Sequence, residues 1–229
     1  MVTLLTRFLA VFLVVAALAP AARAADLTTQ RELLSQAQFT LERFATSPKM
    51  EDARALASRA EAIIIFPSLL KGAFFVGGEG GSGVLLARRD DGTWSYPAFY
   101  TLGSVSFGFQ IGGQSSEAIL LIMNRDALRA VMADQVKLGG DLSAAAGPVG
   151  TGVEASSSTN VGTDIYTYSN NKGLFIGASL EGAVLARRED YNAEVYNGVV
   201  NPEEIVLQDT VSNPIADPLR DELTKFSAQ

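Results

Sequence analysis

The sequence predicts a single α+β domain: an antiparallel, barrel-like sheet with helices packed on it, two helices near the N-terminus and short helices at the C-terminus. Between Ile63 and Met123, apolar runs alternate with glycines, which is typical of short strands joined by tight turns. Helical periodicity is found before this stretch and after it. With 229 residues, of which 48% are hydrophobic, the chain is long enough to bury one sizeable core.

Two amphipathic helices are predicted ahead of the sheet. The run Thr29 to Glu32 has the form of a capping box, and apolar residues then repeat on one face at Leu34, Ala37, Leu41 and Phe44. The polar face mixes acids and bases, so packing on the sheet is favoured over a membrane-surface helix. Ser47 and Pro48 predict the start of the second helix.

The strand pattern is clearest from Ser104 to Ile111, where Val105, Phe107 and Phe109 alternate with small or polar residues and are predicted to face the core. Upstream, Pro67 is expected to end the apolar run Ile63 to Phe66, as a short strand or as the end of the second helix. Further strands are predicted within Gln135 to Ala146 and Val149 to Ser158.

Several turns and helix caps can also be placed. Asp91-Gly92 indicates a hairpin turn, Asn124 and Asn201 are predicted N-caps, and Asp217-Pro218 is predicted to start a final helix containing Leu219, Leu223 and Phe226.

Two parts of the sequence resemble each other. Lys71-Gly72-Ala73-Phe74 is similar to Lys172-Gly173-Leu174-Phe175, and the run Gly83 to Arg89 is similar to Gly182 to Arg188. This internal similarity predicts two related hairpins in pseudo-symmetric places. If these hairpins lie side by side, Arg88-Arg89 and Arg187-Arg188 are expected to form one anion site.

Residues 1–24 are predicted to be a secretory signal peptide. Arg7 provides the positive region, Phe8 to Ala19 the apolar region, and Ala22-Arg23-Ala24 a cleavage site. The apolar run is shorter than the roughly 20 residues that span a bilayer, so an uncleaved anchor is the lesser alternative. The expected location is periplasmic or secreted.

Composition excludes several classes of function. The chain contains no Cys and no His, which excludes Ser-His-Asp and Cys-His catalysis as well as zinc or iron sites with those ligands. No enzyme activity, metal or cofactor is predicted. One enzyme alternative remains, a carboxylate pair formed by Glu79 and Glu181 at similar places in the two related segments.

Charge and the glycine motif argue against nucleotides and nucleic acids. The net charge of −7 makes nucleic acid a poor partner. Gly78 to Gly83 matches G-x-G-x-x-G, but a dinucleotide site requires a helix after the glycines. Here Val84-Leu85-Leu86 reads as a strand, so a hairpin is favoured.

The order of motifs resembles the lipid-binding SYLF domain family. The resemblance is carried by Phe66-Pro67, Lys71, Gly77 to Leu85, Trp94, Pro97 to Tyr100, Gly108 to Gly112, Met123-Asn124, Lys137-Leu138-Gly139, Ala144 to Gly150, Tyr168-Ser169, Lys172 to Phe175 and Ser179 to Gly182. It covers residues 60–207, preceded by a helical part at 25–59 and followed by a tail at 208–229 with a possible helix.

This resemblance implies an α+β fold and binding of phospholipids, including phosphoinositides. Eukaryotic members of the family also bind actin, a partner not expected for an exported protein. A phospholipid or membrane surface is therefore the predicted partner, and the oligomeric state is left open.

Six basic residues are the candidate lipid-phosphate contacts: Lys71, Arg88, Arg89, Lys172, Arg187 and Arg188. Arginine suits phosphate because its planar fork donates two parallel hydrogen bonds. The alternative is that each arginine pair lies in a solvated turn and pairs with the acids that come after it, Asp90-Asp91 and Glu189-Asp190.

A second hypothesis for the function is a structural or adhesive envelope protein that acts through protein partners. Exposed tyrosines would serve such contacts: Tyr166, Tyr168, Tyr191 and Tyr196.

Overall fold

A computed structural model describes residues 26–73, 76–107, 112–133, 135–148, 163–171, 174–177, 180 and 182–228. Several predictions lie outside these residues: the signal peptide, the strand at 149–158, the burial of Phe109, and the positions of Lys172 and Glu181. At 105–107 the description covers the backbone alone, so the predicted burial of Val105 and Phe107 also stays a prediction.

Six α-helices occur in the described chain: α1 (Thr28–Thr46), α2 (Glu51–Ala57), α3 (Arg125–Met132), α4 (Glu189–Tyr196), α5 (Pro202–Val206) and α6 (Asp217–Ser227). One-turn 3-10 helices at Pro48–Met50 and Pro214–Ala216 precede α2 and α6.

Nine strands form one sheet: β1 (Ala62–Ala73), β2 (Val76–Ala87), β3 (Ala98–Phe107), β4 (Gly112–Ile122), β5 (Gln135–Lys137), β6 (Ala144–Ala146), β7 (Ile165–Asn171), β8 (Leu174–Gly177) and β9 (Val184–Arg187). Their order is β5-β9-β3-β2-β1-β4-β7-β6, and β8 also pairs with β7. All pairs are antiparallel except β6 with β7.

The sheet curls because its two end strands are neighbours in sequence. Laid flat, eight strands would place β5 and β6 roughly 34 Å apart. The chain between Lys137 and Ala144 makes a tight turn instead, in which the Asp141 N–H donates to the Lys137 carbonyl at 2.9 Å. Leu138 and Leu142 form a bridge within it. The two ends of the sheet are thereby drawn together into a half-barrel.

Alternate residues of the strands feed two separate cores. The inner face of the half-barrel, marked by Ile64 and Leu120, packs on α3, α5 and the closing residues Leu138 and Leu142. The outer face packs on α1, α2 and α6, and Ile65 is one of its buried residues. The fold class predicted from the sequence is confirmed.

Strand β1 corrects the prediction that Pro67 ends the run. The strand continues to Ala73, and its pairing register shifts between Phe66 and Leu69. Proline is tolerated at such a bulge because no ladder N–H is required there. The bulge lies close to β2: a Cβ on Gly81 would come within 2.0 Å of the Ser68 carbonyl oxygen.

Helix α1 packs on the sheet, as predicted, but its capping differs. The predicted capping box at Thr29 is wrong, because the helix begins at Thr28 with Leu27 as its N-cap, two residues earlier, and Asp26 accepts the Thr28 N–H at 3.1 Å. Near the helix C-terminus, Glu117 of β4 accepts hydrogen bonds from Arg43 and from Thr40. These bonds tie α1 to the outer face.

The caps of the other helices were predicted with mixed success. Asn124 accepts the Ala127 N–H at 2.8 Å, and Asn201 forms a capping box with Glu204, so both predicted caps are confirmed. The Ser47 side chain makes no capping bond, and a 3-10 turn precedes α2 instead. In α6 the predicted apolar residues are buried: Leu219, Leu223 and Phe226.

The prediction of two related hairpins is wrong. Strands β1 and β2 do form a hairpin, but β8 pairs with β7, whereas β9 pairs with β3 and β5. Similar local sequence therefore yields strands in both places but different partners.

No helix within the described residues is both long enough and apolar enough to cross a bilayer.

Candidate functional site

Arg88 supports the fold. It lies directly after β2, and its guanidinium donates to the Ala57 carbonyl at 2.8 Å and to the Ala60 carbonyl at 3.2 Å, at the end of α2. It also lies over the ring of the buried Trp94, 4.4 Å from the centroid. Burial lowers the pKa of Arg88, and the nearby Glu61 opposes that shift. With these contacts in place, the side chain joins β2 to α2.

Arg89 pairs with an acid far along the chain. Its guanidinium donates to the Asp209 carboxylate, which is 53% exposed. Solvent screens such a pair, so it contributes little to stability.

Arg188 is held by three neighbours. It forms a bidentate pair with Asp190 at 2.9 and 2.7 Å, donates to the Ser82 hydroxyl at 3.1 Å, and lies 3.6 Å from the Tyr191 ring centroid. The hydrogen bond from Arg188 is the largest influence that lowers the pKa of Asp190. The predicted pairing of this arginine with an acid just after it is confirmed.

Arg187 is placed differently, at a cavity of about 390 Å³. Its neighbours there come from three elements: Glu189 and Asn192 of α4, Val199 and Val200 of the α4–α5 loop, and Glu204 of α5. The volume is within the range of small-molecule sites. Arg187 donates to Glu189 at 2.8 Å, but that carboxylate is 71% exposed, so water competes for it.

Asn192 lines the same cavity and has a buried side-chain donor. Its Oδ1 accepts the Phe99 N–H at 2.8 Å, which fixes the orientation of the amide. Its Nδ2 is buried and has no hydrogen-bond partner within the part of the chain that the structure describes. A buried N–H without an acceptor costs about 1–3 kcal/mol, so an oxygen from water or from a ligand is expected there.

Tyr100 is the cross-strand neighbour of Arg187 and is buried in the inner-face core. Arg187 and Tyr100 are paired across β9 and β3. Burial raises the pKa of Tyr100 above its ordinary value, and the charge of Arg187 opposes that shift. The phenol therefore stays neutral at physiological pH.

The remaining candidates lie elsewhere. Lys71 is on the inner face of β1, directly across from Glu79 on β2 and from Gln114 on β4. Glu79 is thus opposite a cation, while its proposed catalytic partner Glu181, like Lys172, is outside the described residues.

The two arginine pairs do not form one site. Gly83 and Arg187 are both paired with Tyr100, on its two sides. Arg88 is five residues beyond Gly83. It is therefore displaced from Arg187 by roughly 16 Å along the strand direction and by about 10 Å across the two strand spacings between β2 and β9. The joint anion site expected from neighbouring hairpins is therefore a wrong prediction.

Sequence reasoning missed Asn192, Val199 and Val200. Asn192 lies in the middle of α4. Asn is unfavourable inside a helix, so its presence there indicates that the side chain makes a specific tertiary contact. The valines come directly after Asn197-Gly198, where α4 ends, and only the tertiary structure brings them to Arg187.

Together, fold and cavity define a single-domain α+β protein with a small cavity beside one arginine. Among the described residues, no group of three or more acids could hold a metal ion.

Residues 103–226 match the family model Ysc84, described as "Las17-binding protein actin regulator". The chain belongs to this Ysc84 family, and the resemblance to SYLF domains is thereby confirmed.

Similar proteins are found in fungi and animals. An SH3 domain-containing protein of Schizosaccharomyces pombe is 36% identical over 159 residues, which are 68% of this chain and 37% of that protein. Protein YSC84 of Saccharomyces cerevisiae is 33% identical over 164 residues, 70% of this chain and 35% of its own length. The human SH3 domain-containing YSC84-like protein 1 is 35% identical over 164 residues, again 70% of this chain, and 47% of its own length. The chain thus spans less than half of each of these relatives.

Proposed function

We propose that this protein is an exported, non-enzymatic phospholipid-binding protein of the cell envelope, in which Arg187 contacts the phosphate of an anionic headgroup. The observation that carries the proposal is the position of Arg187 at a cavity of about 390 Å³ that Asn192 also lines. The buried Nδ2 of Asn192 is a donor without a partner among the described residues. A guanidinium and an amide N–H are both donors, and a phosphate offers several acceptor oxygens.

Two acids line the cavity, and a phosphate that binds Arg187 must displace one of them, Glu189. Glu189 already accepts from Arg187, and Glu204 accepts the Asn201 N–H at 2.8 Å in the capping box. A phosphate would displace Glu189, and the exposure of that carboxylate keeps the cost of the exchange low. Glu204 would stay in place, because its bond holds the start of α5.

The other arginines fit this role less well. Arg88 is engaged with two backbone carbonyls and an indole ring, and Arg188 holds Asp190 with two parallel bonds. A headgroup at either place would have to break contacts that the fold uses. Of the described arginine candidates, Arg187 is the one we propose as the phosphate contact.

Co-sedimentation tests the proposal with the purified protein and three kinds of vesicle: neutral, phosphatidylglycerol-rich and phosphoinositide-containing. We expect binding to the two anionic kinds and weaker binding by Arg187→Lys, because lysine keeps the charge but lacks the planar fork. Equal binding by both proteins would remove bidentate recognition. Absence of binding to every vesicle would remove the lipid function.

A second candidate function is binding to a protein partner. It is favoured by the description of the family, which names Las17 binding and actin regulation. For an exported protein, the partner would be another envelope component. A pull-down from envelope extract, run beside the vesicle assay, separates the two: specific capture without vesicle binding supports the protein partner.

A further inference from the structure

Val199 is the most exposed large apolar side chain in the described chain, at 98%, and Leu70 is next at 64%. A single exposed valine is ordinary on a protein surface and needs no explanation by itself. The distinguishing feature of Val199 is its neighbourhood, since it lines the same cavity as Arg187 and Val200.

The loop that carries Val199 is held at both ends. Asn197 ends α4 in the left-handed conformation, with φ of 56°, and the Gly198 N–H donates to the Ala193 carbonyl at 3.0 Å. On the other side, the capping box of Asn201 and Glu204 fixes the start of α5. Val199 is therefore presented on a short, anchored loop, so little chain entropy is lost when it meets a partner.

An apolar tip beside an arginine matches the surface of a phospholipid bilayer. Phosphates lie at the interface and acyl chains directly beneath them, so a side chain that passes the phosphates reaches apolar surroundings. Resting on the proposed function of the Arg187 cavity, we infer that Val199 inserts into the bilayer while Arg187 contacts a phosphate. The protein would then bind at the membrane surface.

The acidic charge of the protein makes an apolar contact important for membrane binding. The chain carries a net charge of −7, and Glu189 and Glu204 lie at the cavity. Bulk attraction to an anionic membrane is therefore weak, and salt screens the attraction of the single arginine within about 8 Å at physiological ionic strength. Insertion of Val199 supplies a part of the binding that salt does not screen.

The test compares Val199→Asp with Leu70→Asp in co-sedimentation with phosphatidylglycerol-rich vesicles. Both changes place a carboxylate at an exposed apolar position, but Leu70 lies on the sheet and does not line the cavity. We expect about tenfold weaker binding for Val199→Asp, equivalent to about 1.4 kcal/mol, and binding within about twofold of the wild type for Leu70→Asp. Equal losses would show general repulsion and overturn the inference.

A second variant reports insertion directly. In Val199→Trp, acyl chains brominated near the headgroup should quench the new fluorescence, whereas the native Trp94 is only 1% exposed and is shielded. Vesicle binding without such quenching would overturn the insertion of Val199, but it would not contradict the phosphate contact at Arg187. Absence of vesicle binding by the wild type would overturn the lipid function and, with it, this inference.

Discussion

Arg88-Arg89 and Arg187-Arg188 end two stretches of nearly the same sequence, yet their side chains have different surroundings. Arg88 lies at the end of α2 with two carbonyls and an indole as partners, whereas Arg187 lies at a cavity and pairs with an exposed acid. In each pair one arginine has become structural, Arg88 in the first and Arg188 in the second. The other of each pair makes a surface ion pair, with Asp209 or with Glu189.

The difference comes from the chain immediately beyond each strand. After β2, the Asp91-Gly92 turn returns the chain at once, with Gly92 at φ of 83°, and Arg88 and Trp94 form a bridge. After β9, helix α4 begins immediately, and the short loop to α5 closes a cavity around Arg187. The same dipeptide therefore supports the fold in one place and lines a cavity in the other.

The largest effect on stability is expected for Arg88→Ala. The change leaves the Ala60 carbonyl without its arginine donor and removes the contact with Trp94. It also removes the stronger of two donors to the Ala57 carbonyl, which keeps the Ala60 N–H at 3.3 Å. We expect the free energy of unfolding to fall by about 2–4 kcal/mol, measured by urea denaturation. The neighbouring Arg89→Ala serves as control, with an expected loss below about 1 kcal/mol. Equal losses would show that Arg88 is not the structural member of its pair.

A smaller effect, with a distinctive pH dependence, is expected for Arg188→Ala. At pH 7 the loss should be about 1 kcal/mol. The pKa of Asp190 is lowered in the folded protein, chiefly by the hydrogen bond from Arg188. This stabilisation is therefore fully present above the unfolded-state pKa of about 3.9 and is lost as pH falls through the lower folded-state pKa.

Urea midpoints of the wild type and Arg188→Ala should thus converge as pH is lowered from about 7 to about 3. Most of the loss caused by Arg88→Ala should persist over the same range, because backbone carbonyls and the Trp94 ring do not titrate and only the smaller contribution of Glu61 does. A pH-independent loss for Arg188→Ala would assign its contribution to the Tyr191 ring and Ser82, and not to Asp190.

Local patterns predicted most of the elements, and tertiary contacts decided the site. The Asp91-Gly92 turn, the Asn124 and Asn201 caps and the apolar face of α6 depend on near neighbours, so the sequence alone places them. The pairing of β8 with β7 and the passage of β1 through Pro67 depend on distant partners. Arg187 was predicted as a phosphate contact by its chemistry, but its separation from Arg88 results only from the strand order.

The central claim is that Arg187, and not Arg89, makes the phosphate contact. The most direct measurement compares Arg187→Gln and Arg89→Gln in binding to phosphatidylglycerol-rich vesicles. Each change removes one charge, and each arginine forms an ion pair with an exposed acid. We predict at least tenfold weaker binding for Arg187→Gln, about 1.4 kcal/mol, and binding within about twofold of the wild type for Arg89→Gln. Equal losses in the two variants would show that binding depends on net charge and would contradict a site at Arg187.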